Sequence, residues 1–502
     1  MKNFTIDAND YDETNLNKTM IRDLIRKHSS VASKIRKNQR YYDGKHKVQG
    51  RTKKIKGSSN NKVVCNHAKD ISDTATGYFL SSAISFSTSD KKMNIDKLTD
   101  AFDLADVDDV DHDNALDMSV AGVAYEYVYV KENETTPVSK NLEPEHTFLV
   151  CDDTIEENIL FGVYYYRFKD AVTGKYKYKA TVGTENYIYE LLLEGTYENN
   201  VYVDEEPKEH FLGDVPIIQI LNNKNGVGDF EQQISLIDAY NTLMSDRVND
   251  KEQFVEALLV VYGALMGDDE EEVSEVVKIL KENGLLELPL DAKAEYIART
   301  FDESGMEVLR KAIKEDIYTF SHVPNLTDEN FVGNSSGVAM EYKLLGLEMI
   351  TKTKERYYKK ALKQRITLYC NYLNLKAISI NPTAIIPTFS RGLPKNLLEL
   401  SQIITNLKGF VSQETLLNQL DFVEDAQTEI KKVDEENDKA VERQQKMFGV
   451  ADNVPFNNSG VKMMKKLMGK IKTKINKQLK KILLPIIKLL NKFMKFLIEV
   501  LE

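Results

Sequence analysis

Apolar and polar residues alternate with different periods along the 502-residue chain, and the changes of period mark out its parts. Between residues 118 and 203 the runs "VAYEYVYV", "TFLVCDD", "ILFGVYYYRF", "YKYKATV", "NYIYELLL" and "NVYV" alternate or concentrate β-branched and aromatic residues. They predict a mostly antiparallel sheet, with "TGK" and "EGTYENN" as its turns. Before it, residues 16–56 read as polar helix-like text that ends in the basic block "KIRKNQRYYDGKHKVQGRTKKIKG". Gly44, Gly50 and Gly57 interrupt that block, which predicts a basic arm or loop. "DISDTATGYFLSSAISF" resumes helical spacing, with Asp70 and Asp73 as candidate helix starts.

Beyond "NNKNGVGD" the period becomes helical and stays so. Asp229 with Gln232 three residues later has the form of a capping box, and Ile234, Ile237, Leu243, Met244 and Val248 continue the stripe. The pattern predicts a rod over 229–262, about 50 Å long. A compact insert follows over 264–300, with ten acidic residues against four basic ones and a net charge of −6. One helix near 270–282 and two short strands, "LLELPL" and "AEYIAR", are expected in it. Ser304 and Glu307 form a second capping box, and Met306, Leu309, Ile313, Ile317 and Phe320 carry a second rod to Pro324.

Two rods flanking a short insert should run antiparallel, placing the acidic knob at their far tip and returning the chain to its starting level. The loop "NLTDENFVGNSS", at the head of a third helix over 336–375, then lies at the inner end of the pair. Lys352, Lys354, Arg356, Lys359, Lys360, Lys363 and Arg365 on that helix alternate with apolar and aromatic residues, a pattern read as a solvated face beside a buried stripe. After "NPTAIIPTFSRGLPK" a smaller helical set covers 396–448, broken near Gly409 and restarted at "VSQE". The whole is an α+β organisation, a β-rich unit set between helical parts.

Charge and chemistry narrow the function. The net charge of −11 argues against tight nonspecific nucleic-acid binding. Three separate cysteines suggest neither disulfides nor zinc, and the N-terminus has no apolar signal core. No GxxxxGK[ST] loop is present, and "NGVG" reads as lacking the strand, the glycine spacing and the downstream acid of a dinucleotide site. The seven histidines are scattered, no GxSxG elbow occurs, and "DVDDVDHDN" lacks the glycine and glutamate of a calcium loop, so it reads as a helix-flanking acidic turn. No catalytic residue, metal site or cofactor is expected.

The block "SHVPNLTDENFVGNSSGVAMEYKLLGLEMITKTKERYYKKAL" resembles the tunnel loop and long helix of portal proteins from long-tailed double-stranded DNA phages. "YYDGKH", "NNKVVCNHAKDISDTATGYFL" and "FSRGLPKNLLELSQIITNLKGFVSQETLL" agree with it in order, from about residue 20 to about residue 445. The resemblance implies a homo-oligomeric ring, usually of twelve subunits, at one capsid vertex, with DNA passing through its centre. It implies a wing (1–228), a first stem helix (229–263), a clip (264–302), a second stem helix (303–324), a tunnel loop (325–337), a long wing helix with its return (338–395) and crown helices (396–450). Terminase large subunit and head-completion or connector proteins would dock at the clip, with major capsid and scaffolding proteins as further partners. The protein would reside in the virion, and in host cytoplasm during assembly.

Within that frame Asn325, Asp328, Asn330, Phe331, Asn334 and Ser335 are the expected DNA-proximal residues. None is basic, so the loop would not grip phosphates by counterion release. Asp268, Asp269, Glu270, Glu271 and Glu272 are the expected docking residues of the clip. The segment 451–502 departs from the family pattern, with twelve lysines against three acids on a helical stripe interrupted by Pro485. Crown packing, DNA contact or a membrane-active role are the readings it leaves open; the last is the alternative function, with membrane association unlikely for the rest of the chain.

Overall fold

The computed structural model describes residues 3–449, apart from 53–58, 91, 133, 170, 173, 175, 195–199, 204–205, 256–257, 263–268, 284–292, 298–302, 327–341, 377, 392–396, 421–422 and 424–425. Among the described residues are eleven longer helices: α1 (Lys18–Tyr42), α2 (His67–Phe79), α3 (Asp96–Leu104), α4 (Val107–Ala121), α5 (Ile234–Val255), α6 (Glu270–Asn283), α7 (Glu303–Ser321), α8 (Leu345–Asn374), α9 (Leu397–Leu407), α10 (Gln413–Leu417) and α11 (Ala426–Gly449). The strands are β1 (Phe4–Ile6), β2 (Ser85–Thr88), β3 (Val123–Val130), β4 (Pro137–Leu142), β5 (Thr147–Asp152), β6 (Ile159–Lys169), β7 (Tyr176–Gly183), β8 (Tyr187–Glu194), β9 (Asn200–Val203), β10 (Lys208–Glu209), β11 (Ile217–Leu221), β12 (Leu258–Tyr262), β13 (Lys293–Ile297) and β14 (Ile385–Thr388). The fold is α+β, as the changes of period require. The chain forms two compact units, 1–394 and 395–502.

The expected strands form as read. A seven-stranded sheet runs β1-β5-β6-β7-β8-β10, with β9 also on β8; its described pairs are antiparallel except β1 with β5. A second sheet of order β11-β3-β4 stands beside it. The alternating residues of β5, β6, β7 and β8 put Phe148, Val150, Phe161, Val163, Ala180, Val182 and Leu191 on one buried face, which Ile21, Leu24 and Ile25 of α1 cover.

The first part of the basic block, up to Tyr42, is helical where a basic arm or loop was expected. Asn17 caps α1 by accepting from the Met20 amide at 3.1 Å, and the stripe Ile21, Ile25, His28, Ala32, Ile35, Asn38 and Tyr41 is buried. The block's first charges are the solvent face of that helix, a periodicity the density of lysine and arginine conceals. Past the turn at Gly44, Arg51 pairs with Asp246 at 2.7 Å and the Asn61 amide donates to Asn249 at 2.7 Å, tying the segment to α5. Asp70 and Asp73 do not start α2: Asn66 does, accepting from the Lys69 amide, while Asp70 accepts from the Tyr318 hydroxyl and Asp73 pairs with Lys69.

Helix α8 joins two cores. Its middle (Tyr358, Leu362, Ile366, Tyr369) packs with Phe79, Leu98, Phe102, Val107, Met118 and Val128, and its head (Leu344, Leu347) packs with Ile71, Ile237, Ile317 and Tyr318. Within the first core lies an ionic group. Arg365, 1 % exposed at its side chain, donates to Glu126 at 2.7 Å and to Asp111 at 2.6 Å, and Tyr358 donates to the same Asp111 oxygen at 2.6 Å. Ser139 and Asn114 complete the shell of Glu126. Burial pushes the Asp111 carboxyl up; burial alone would lower Arg365, but the two carboxylates more than reverse it. The acidic run "DVDDVDHDN" is therefore mostly the start of α4, entered through Asp106 in the left-handed region (φ 49°), with Asp111 turned inward.

Two consequences are measurable. Arg365→Met should lower unfolding free energy by about 3–5 kcal/mol, because it strands two carboxylates; denaturant titration reads it. His28 donates to or accepts from Tyr165 at 2.9 Å, and burial depresses it to about 4, as it does His67. The unfolded chain takes up these protons near 6.5 while the folded chain waits until about 4, so stability falls as pH drops between those values. The gap in stability between the wild type and His28→Phe should accordingly narrow, or reverse, from pH 7 to pH 5.

Candidate conduit and docking site

Helices α5 and α7 are antiparallel, as pairs of opposite chain sense demonstrate. Tyr240 meets Arg310 at 3.1 Å, Arg247 meets Glu307 at 2.9 Å and also Glu303, and Lys251 meets Glu303 at 3.1 Å. Below this ladder Ile237, Tyr240, Ile317 and Tyr318 close an apolar seam. Hydrogen bonds from Arg310, against some desolvation, hold Glu307 down to about 2, and those that Arg247 donates to Glu303 and Glu307 raise Arg247. Arg247, Arg310, Glu303 and Glu307 are therefore all charged at neutral pH.

Both rods differ from expectation at their ends. The first helix begins at Ile234 after a 3-10 turn over Glu231–Gln233, and it stops at Val255. The apolar run beyond, Leu258–Tyr262, is β12 and pairs antiparallel with β13, Leu258 opposite Ile297 and Tyr262 opposite Lys293. "LLVVY" is a short run without polar interruption, which fits a strand as well as a helix, and the neighbouring strand decides it. The second rod starts at Glu303, so Ser304 is a helical residue and not its cap, and Glu307 faces Arg247 and Arg310. At 1.5 Å per residue the rods span about 33 Å and about 28 Å.

At the far end, α6 matches the helix expected in the acidic insert, and "AEYIAR" supplies β13; "LLELPL" lies outside the described residues. Asp269, Glu270, Glu271 and Glu272 are exposed on or just before the first turn of α6, where Asp269 accepts from the Glu272 amide at 2.9 Å. Carboxylates there are favoured by the helix dipole, which keeps them together. Asp268 lies outside the described residues.

At the near end α7 closes on His322, left-handed at φ 60°, followed by buried Val323 and half-buried Asn325. Asp328, Asn330, Phe331, Asn334 and Ser335 lie outside the described residues. The two ends of the excursion meet: a Cβ on Gly346 would stand 3.5 Å from the His322 carbonyl oxygen. Asn325 follows the C-terminal end of α7, a helix about 28 Å long, and α6 with the β12–β13 pair precedes its N-terminal end in the chain.

Beside that junction is a pocket of about 300 Å³ lined by Asn222, Asp229, His322, Met349, Thr353 and Lys354. On its wall Lys354 and Asp229 form an ion pair with side chains 3 % and 6 % exposed, and Asp229 also accepts from Ser119 at 2.6 Å and Asn222 at 2.9 Å. Asp229, read as a helix cap, is thus the anchor of α8. The glycines of "NGVG" do follow a strand, β11, contrary to expectation. Their role is close approach: a Cβ on Gly228 would fall 2.5 Å from the Val120 carbonyl oxygen, and one on Gly122 2.4 Å from that of Gly226. Arg391 adds a second anchor, donating to Glu348 at 3.0 Å and Glu355 at 2.5 Å, while Tyr78 donates to Glu348 at 2.9 Å.

The basic residues of α8 divide accordingly. Arg356, Lys360 and Lys363 are exposed, whereas Lys354 and Arg365 are buried and ion-paired. The signal was present in the spacing: Leu347, Thr351, Lys354, Tyr358, Leu362, Arg365 and Tyr369 step by three and four, so both cations lie on the apolar stripe.

Rod, acidic knob, rod, excursion and long anchored helix succeed one another in the order of the resemblance. Residues 21–443 match the family described as phage portal protein, SPP1 Gp6-like. The chain belongs to the phage portal protein family. Among portal relatives it is similar to the portal protein of Bacillus phage SPP1, 24 % identical over 461 residues covering 85 % of this chain and 88 % of that one. It is also similar to the portal protein of Clostridium phage phiCD119, 20 % identical over 430 residues covering 81 % and 93 %. Membership in the portal family places the chain among bacteriophage capsid components that serve genome packaging and the joining of head to tail.

Lys354→Met should lower unfolding free energy by about 3–5 kcal/mol by leaving Asp229 buried and unpaired. Adding Asp229→Leu should return part of that loss, and a double-mutant cycle in urea reads the coupling.

Proposed function

We propose that this chain is the subunit of a ring, of twelve copies in the virion, whose central channel conducts double-stranded DNA into and out of the capsid. The observation that carries the reading is the antiparallel α5–α7 pair with an acidic knob at one end and the closed base of a polar excursion at the other. In this reading α5 and α7 are the stem, 264–302 the clip, 325–337 the tunnel loop, 1–228 with 338–395 the wing, and 396–450 the crown.

Passage of a polyanion requires a wall that does not hold it. Asn325, Asp328, Asn330, Phe331, Asn334 and Ser335 supply polar or uncharged groups without lysine or arginine, so contact with DNA is transient and independent of sequence. The portal subunit is structural, and work is done on the DNA by a separate motor. The terminase large subunit docks on Asp268, Asp269, Glu270, Glu271 and Glu272, and the head-completion proteins follow it there; major capsid and scaffolding proteins hold the wing. Assembly takes place in host cytoplasm, and the product resides at the portal vertex.

A membrane-active role is not favoured: among the described residues no helix is long and apolar enough to cross a membrane. The basic amphipathic segment 451–502 lies outside them.

Negative-stain images of the purified full chain should contain rings with a central hole; a population of monomers and dimers under every assembly condition overturns the proposal. Replacing Asp268, Asp269, Glu270, Glu271 and Glu272 together by lysine should weaken terminase large-subunit binding by about tenfold or more, since the charge offered to the partner is then reversed. Unchanged binding in a titration would refute that docking site.

A further inference from the structure

Two surfaces of opposite charge remain unused by the folding of unit 1–394. The outer face of α8 carries Lys352, Arg356, Lys360 and Lys363, all exposed and at steps of three and four. Lys352 has Glu348 at 3.6 Å, whereas among the described residues Arg356, Lys360 and Lys363 form no ion pair. The outer faces of α3 and α4 carry Asp100, Asp103, Asp109 and Asp113, also exposed, around Leu104, which is 74 % exposed. Asp108 beside them is raised by burial and then by Asp103 and Asp109, a sign of crowding among like charges.

The geometry sets these surfaces back to back. The buried sides of α8 (Tyr358, Leu362, Ile366) and of α3–α4 (Leu98, Phe102, Met118) meet in one core, and Arg365 and Tyr358 reach across to Asp111 of α4. Each charged face is on the far side of its helix from that core. They therefore point away from one another and cannot neutralise each other within one chain.

Oppositely charged faces on opposite flanks are what a head-to-tail contact between copies requires, and repetition of such a contact closes a ring. We infer that the basic face of α8 in one copy docks on the aspartate face of α3–α4 in the next, with Leu104 as the apolar centre of the contact. The inference rests on the ring reading above and adds to it the surfaces that join neighbours. A separation of unlike charges within a subunit and their pairing between subunits also sets a single direction of assembly.

The test uses two full-length variants. In one, Arg356, Lys360 and Lys363 become glutamate; in the other, Asp103, Asp109 and Asp113 become lysine. All six residues are exposed, and far-UV circular dichroism with thermal melts checks that both variants fold. Each variant alone should lose rings by about tenfold or more at fixed concentration, by mass photometry, because like charges then meet at every contact. An equimolar mixture should regain them, since alternating copies restore unlike pairs at every junction. Rings that persist in each variant alone, or a mixture that recovers nothing, overturn the contact while leaving the ring reading in place. A wild type that forms no rings overturns the ring reading, and the contact falls with it. Loss of DNA retention in a mobility-shift assay, with ring yield unchanged, assigns the α8 face to phosphate and also overturns the contact.

Discussion

A guanidinium deep in an apolar core is tolerated only where carboxylates meet it, and Arg365 with Asp111 and Glu126 is the arrangement on which the first unit depends. Asp111 and Glu126 come from the consecutive elements α4 and β3, and Arg365 from α8, 254 and 239 residues further along the chain. An ionic contact of this kind contributes little net stability compared with a hydrophobic substitute, but it tolerates no misalignment, because a shifted partner leaves a bare charge. It fixes the rotation of α8 about its axis. Lys354 with Asp229 fixes the same helix one core further along, and Arg391 with Glu348 and Glu355 fixes it near its head. Three charged anchors on one rod make its position a matter of register rather than of general apolar attraction.

The contrast with the α5–α7 pair is physical. There the ion pairs are partly exposed and held in a ladder whose strength depends on salt. The anchors of α8 are dry contacts, and those of the α5–α7 pair are wet ones.

Much of this was legible in the sequence. Alternating, β-branched and aromatic runs marked each strand from β5 to β9 to within a few residues, β5 being buried at every position. Rod, knob and rod were legible because a helical period, a run of acids and a second helical period succeed one another, although neither capping box read from the sequence forms at the start of its rod. What escaped was decided by contacts between distant residues. "LLVVY" carries no period of its own and becomes a strand only because β13 lies beside it. Asp229 has the form of a cap, and only the approach of Lys354 from 125 residues away gives it a different role. The basic block before Gly44 hid a helix because its charges outnumber the apolar positions that bury it. Of the candidate site, the carboxylates of α6 and the start of the excursion at Asn325 could be placed; the remaining loop residues and Asp268 fall outside the described chain.

The touching of His322 and Gly346 has a consequence for variation in this protein. Since both ends of the intervening stretch are fixed against each other, its length is nearly free of thermodynamic penalty: doubling it would cost only about 0.6 kcal/mol of closure entropy. The fold of a single copy therefore sets almost no limit on insertions there. A limit on that length, where one exists, has to act from outside the individual polypeptide.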